Sequence, residues 1–148
     1  MNKLEYIPGD LVTWLGRKVR IDGVIVDPNT KQIDYYEIAD TGSESVFKGE
    51  DLKPIKLTRT ILKKNGWVKE VMSRSVKNSH WVYTKPDIEE YGYFPIYIEK
   101  GIGDEFDVYP FTDNNVCKQI AYIKYVHQLQ HLLFGLGLKS EMEVYVWK

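Results

Sequence analysis

The chain has 148 residues, 43% apolar and 14% aromatic, with 28% charged residues and a net charge of −1. That composition is too apolar and aromatic for intrinsic disorder, and the length suits one compact domain or two small ones. No apolar run approaches the roughly 20 residues of a membrane-spanning helix, the start Met1-Asn2-Lys3-Leu4-Glu5 lacks the apolar core of a secretion signal, and a lone Cys117 excludes an internal disulfide framework and a cysteine-only zinc site.

The first 56 residues read as strands joined by tight turns. Pro8-Gly9-Asp10 predicts a turn that opens a strand over Leu11-Val12-Thr13-Trp14-Leu15. Val19 and Ile21 alternate with Lys18, Arg20 and Asp22, the period of a half-buried strand, and Gly23 predicts a bulge or bend within it. Asp27-Pro28-Asn29-Thr30 predicts the next turn, with the chain returning over residues 32–38. Asp40-Thr41-Gly42-Ser43 predicts another, and short strands follow at residues 45–48 and 52–55 around Gly49. Several short strands without a helix predict a small closed β-barrel over residues 1–56. The pattern, beginning on a Gly-Asp turn, resembles Src-homology-3-like barrels; such a fold implies binding of peptides or RNA without specifying either.

Residues 57–148 predict a second, α+β unit: an antiparallel sheet of three or four strands with two helices. Thr58 is a candidate N-cap, and Leu57, Ile61 and Leu62 share one helical face. Asn65-Gly66 supplies a left-handed stop, so a short helix is expected over 59–64. Residues 80–84 predict a strand with Trp81 and Tyr83 on one face. Phe94, Ile96 and Ile98 alternate with Pro95, Tyr97 and Glu99, and Pro95 predicts that this strand lies at an edge. Lys100-Gly101-Ile102-Gly103 predicts a hairpin loop leading to a return strand with Phe106 and Val108 on one face. A final helix places Tyr125, Val126, Leu129, Leu132, Leu133 and Leu136 on one arc. Lys124, His127, Gln128 and His131 fill the opposite arc, expected to face solvent, and Gly135 and Gly137 mark the end. Residues 142–147 predict a closing strand.

The small net charge conceals a segregation. Residues 57–85 carry seven Lys/Arg against one acid, and residues 86–116 carry one against eight. The basic stretch, with Lys63 and Lys64 and with Trp67, His80 and Trp81 interleaved, has the composition of a nucleic-acid-binding segment. The simpler expectation is that basic and acidic strands lie side by side in one sheet. Unpaired, the two patches would favour head-to-tail self-association, so a homo-oligomer belongs among the possible assemblies.

Two stretches carry a family resemblance. Leu52-Lys53-Pro54-Ile55-Lys56-Leu57-Thr58, running into Ile61-Leu62-Lys63-Lys64-Asn65-Gly66-Trp67, is one; Ile123-Lys124-Tyr125-Val126-His127-Gln128-Leu129-Gln130-His131-Leu132, continuing to Phe134, is the other. Together they resemble a family of small proteins from gut bacteria and their phages and mobile elements, in which a KPIxLT segment precedes a few strands and a YVHQLQ helix. The resemblance covers about a quarter of the chain. The sequence departs from it at Trp67, where Phe is common, and at Gly135-Leu136-Gly137-Leu138, where the helix usually ends Ala-Leu-Thr-Gly. The resemblance implies a phage-type gene acting in the cytoplasm of a bacterial host, and it transfers no catalytic residue.

The candidate chemistry is sparse. His127 and His131 have the i, i+4 spacing of a two-histidine metal pair, but Gln128 stands where the metalloprotease motif has its glutamate, and a third ligand would have to come from elsewhere. A solvated histidine pair is the simpler reading. Cys117 lacks a nucleophile turn. Glu89, Glu90, Asp104, Glu105 and Asp107 read as an acidic edge, and Gly101-x-Gly103 lacks the rest of a dinucleotide loop. Tyrosines give rigid contact area with a polar tip, and Tyr91, Tyr93 and Tyr97 are expected on a recognition surface, with Trp81, Lys63 and Lys64. The sequence therefore predicts a non-enzymatic binding protein without a cofactor or a metal. It engages a host or phage protein first, a nucleic acid second and a small nucleotide third, with no membrane partner. The rival class is a metal-assisted hydrolase on His127 and His131.

Overall fold

The computed structural model describes residues 6–40, 43–72, 80–85, 96–100, 103–110 and 121–144. The fold is α+β and holds two antiparallel five-stranded sheets. The chain divides into two compact units, residues 1–56 with 125–145, and residues 57–124 with 146–148.

The first unit begins with β1 (Leu11–Trp14), which turns through Leu15 and Gly16 into the long β2 (Arg17–Val26). Burial alternates along β2, with Val19 and Ile21 inside, because every second side chain of a strand faces the core. The register slips between Ile21 and Gly23, so the bulge falls at the predicted glycine. The Asp27 turn closes on its own side chain, with Asn29 N–H donating to Asp27 Oδ1 at 2.8 Å. The left-handed residue of that turn is Lys31, at φ +60°. After β3 (Ile33–Asp40) and β4 (Ser43–Phe47), a 3-10 turn at Gly49–Asp51 leads to the two-residue β5 (Lys53–Pro54). The sheet order is β4-β3-β2-β1-β5. The expected closed barrel is not seen: β4 and β5 form the two edges of an open sheet among the described residues. One core cluster, Tyr6, Val12, Val19, Ile21, Tyr36, Ile38 and Leu52, lies against this sheet.

The same unit takes in the C-terminal helix α2 (Val126–Gly135), which a linear cut after residue 56 places in the other unit. Lys56 forms a β-bridge with Tyr125, and Val126 N–H donates to the Ile55 carbonyl at 2.8 Å. The helix starts with Tyr125 N–H donating to Gln128 Oε1 at 3.0 Å and ends with Leu138 N–H returning to the Leu133 carbonyl. Residues 141–144 form no strand, which corrects the predicted closing strand over its described part.

The second unit opens with α1 (Arg59–Lys64), on its predicted residues: Thr58 Oγ1 accepts from Ile61 N–H at 3.2 Å. Gly66, at φ +89°, ends the helix and turns the buried Trp67 inward. The sheet then follows as β6 (Val68–Met72), β7 (His80–Thr84), β8 (Ile96–Lys100), β9 (Phe106–Pro110) and β10 (Ala121–Ile123), in the order β10-β9-β8-β7-β6. Ile96, Ile98, Phe106 and Val108 are buried in alternation, as predicted. The edge assignment of Ile96–Lys100 is corrected, because β8 pairs with β7 on one side and β9 on the other. Pro95 lies outside the described residues. Strands from the basic and the acidic segment are thus neighbours, with Val82 opposite Glu99.

Candidate functional site

Among the described residues, Asp10, His127 and His131 come together in the first unit, between the turn that precedes β1 and the helix α2. The turn comes from Pro8-Gly9-Asp10: Asp10 N–H donates to the Ile7 carbonyl at 3.0 Å, and Ile7 N–H donates to Asp10 Oδ2 at 2.8 Å. Its far side is tied to β2, where Gly9 N–H donates to the Ile21 carbonyl and Ile21 N–H to the Asp10 carbonyl. These bonds hold the Asp10 carboxylate inside, where its residue is 2% exposed.

Two consecutive residues of α2 grip this turn. The Gln130 amide accepts from Leu11 N–H at 3.0 Å and donates to the carbonyls of Gly9 at 2.9 Å and Ser140 at 3.2 Å. His131 places Nε2 2.9 Å from Asp10 Oδ1 and 2.8 Å from Oδ2. About a third of the His131 side chain remains exposed. Burial raises the Asp10 carboxyl above its ordinary value, opposed by the Ile7 N–H and by His131.

One helical turn earlier stands His127, only 3% exposed. Its ring stacks on Tyr125 at 5.9 Å and meets Tyr6 edge-on at 5.1 Å and His131 at 5.5 Å. Nδ1 of His127 is buried without a hydrogen-bond partner. Burial, and then the neighbouring His131, pull its pKa down to about 4. The solvated histidine pair is therefore corrected: His127 is interior, and Gln130 is interior with it. A helical wheel sorts residues by polarity and cannot see that the partners of these two lie near residue 10. The tight Pro8-Gly9-Asp10 turn was the one local signal of a fixed acceptor there.

As chemistry, this arrangement is a linear relay from Asp10 to His131 with a neutral His127 beside it. It is not a chelate, and no group of three or more His, Cys, Asp or Glu side chains is placed to hold a metal ion among the described residues. Gln128, which replaces the metalloprotease glutamate, spends its side chain on the helix N-terminus.

The other sequence-predicted residues are scattered over the second unit. Lys63 and Lys64 are exposed in the last turn of α1. Tyr97 is half-buried in β8, opposite Tyr109, and by register shares its sheet face with Glu99, Asp107 and Tyr122. Trp81 stands opposite Val71 in the β6–β7 pairing. Tyr91, Tyr93, Cys117, Glu89 and Glu90 lie outside the described residues. Sequence reading missed Leu15. It is 81% exposed at φ +47°, next to Gly16 at +76°, in the two-residue turn between β1 and β2.

Among the described residues no helix is long and apolar enough to cross a membrane. Comparison with protein-family models, with curated proteins and with solved structures finds no match for the chain.

Proposed function

We propose that this protein acts by binding, as a phage-type or mobile-element-type module that engages a host protein or sequesters a host signal. The observation that carries the reading is Leu15. A two-residue turn with both φ values positive favours Asn-Gly or Gly-Gly, and a leucine held there costs about 1–2 kcal/mol in backbone strain. The fold also leaves that leucine almost wholly in water. A contact with a partner would offset both costs. Among the described residues, Asp10, Gln130 and His131 hold the helix to the turn. The strand order β4-β3-β2-β1-β5 supports a Src-homology-3-like reading of this sheet, since such a barrel arises when the sheet curls until its edges meet.

The experiment is capture from a bacterial host lysate by the tagged chain and by Leu15→Asn, which suits the turn better. A partner retained by the wild type and lost by Leu15→Asn supports the reading. Equal capture by both contradicts it. The same assay with Tyr97→Ala probes a second proposed surface, the sheet face that carries Tyr97; by register Trp81 belongs to the other face, and Tyr91 and Tyr93 lie outside the described residues.

A second reading, nucleic-acid binding, is favoured by the exposure of Arg59, Lys63 and Lys64 on one short helix. It requires binding to weaken steeply with salt and the slope to fall on Lys63→Glu and Lys64→Glu. Salt-insensitive binding contradicts it.

A further inference from the structure

We propose that the Asp10–His131–His127 stack is an acid-operated latch, which holds the segment from Tyr6 to Leu11 on α2 while His127 is neutral and releases it when His127 takes up a proton. The geometry allows one positive charge and not two. A charge on His131 faces both oxygens of a buried carboxylate at 2.8–2.9 Å and keeps partial access to water. A charge on His127 would lie one turn away, with the rings 5.5 Å apart, inside an aromatic enclosure and with Nδ1 unpartnered.

The titratable neighbours do not relieve it. Tyr6 from the segment before β1, Tyr36 from β3 and Tyr125 from the start of α2 are phenols, uncharged in acid. Asp10 is already shared between His131 and Ile7 N–H. A proton on His127 is therefore accommodated by exposing its ring, which separates α2 from Tyr6 and from the Asp10 turn.

The sign follows from linkage. His127 is held below its ordinary value of 6.5, at about 4, so its contribution to the closed form is complete above pH 6.5 and lost as the pH falls toward 4. Asp10 works in the opposite sense, because a raised carboxyl favours the closed form at low pH and weakens it as the pH rises. The acid-side opening thus belongs to His127.

The test is an NMR titration of the full chain from pH 7.5 to 4. It follows the His127 ring and the exchange of the Ile7 and Leu11 amides, corrected for intrinsic rates, with the Asn65 amide of the second unit as control. One proton per opening predicts that exchange at Ile7 and Leu11 rises by up to about tenfold per pH unit below 6.5, with Asn65 unchanged. His127→Phe keeps a ring between Tyr6 and Tyr125 and cannot be charged, so its latch amides should lose most of that slope. Equal slopes in the two proteins overturn the proposal. If His127→Phe does not fold, the wild type still decides: a His127 midpoint near 6.5, with both amides undisturbed, overturns it as well.

Discussion

His131 Nε2 lies within 2.9 Å of both carboxylate oxygens of Asp10, across 121 residues of sequence. This pair closes the first unit, since one partner precedes the first strand and the other is on the last helix. Asp10→Ala leaves Ile7 N–H without its acceptor and His131 without its carboxylate, and should cost about 2–3 kcal/mol. Asp10→Asn keeps an acceptor for both and should cost about 1 kcal/mol. Urea unfolding followed by circular dichroism measures the difference; equal losses would mean that only the charged carboxylate serves and that an amide oxygen in its place does not.

Gln130 is the second grip and has no charge to confuse its reading. Gln130→Leu conserves size but strands the Leu11 N–H and the Gly9 carbonyl, both bound only a few ångströms from a buried side chain. The expected loss is about 3 kcal/mol in the same urea experiment, insensitive to salt. A loss that shrinks in high salt would point to an electrostatic origin instead.

Thr58 tests the second unit independently. Its hydroxyl accepts from Ile61 N–H at 3.2 Å, and Thr58→Ala should destabilise the unit by about 1 kcal/mol. Thr58→Ser should restore most of that. Failure of serine to do so would assign the effect to the threonine methyl group.

These contacts also show what a sequence can disclose. The Gly23 bulge, the Thr58 cap, the stop at Asn65-Gly66 and the alternation around Phe106 and Val108 are local, decided by residues within a few positions of one another. The interior position of β8 was hidden because a proline restricts pairing at its own position and says nothing about the neighbours of the residues that follow it. The roles of His127, Gln130 and His131 were hidden for a different reason. Their polarity marks them for solvent until the turn at Gly9–Leu11 supplies acceptors, donors and a carboxylate from the far end of the chain. For the same reason, a helix 70 residues beyond the first sheet joins that sheet's unit. Leu15 was hidden because a leucine–glycine pair after an apolar run does not announce a positive φ.

The central claim is that Leu15 is displayed for a partner and against the interest of the fold. The most direct test is the thermal unfolding of Leu15→Asn beside the wild type, each alone in solution. Relief of left-handed strain by about 1 kcal/mol should raise the midpoint of the first unit by about 4–8 °C. A lowered midpoint would show that Leu15 supports its own fold, and would contradict the account.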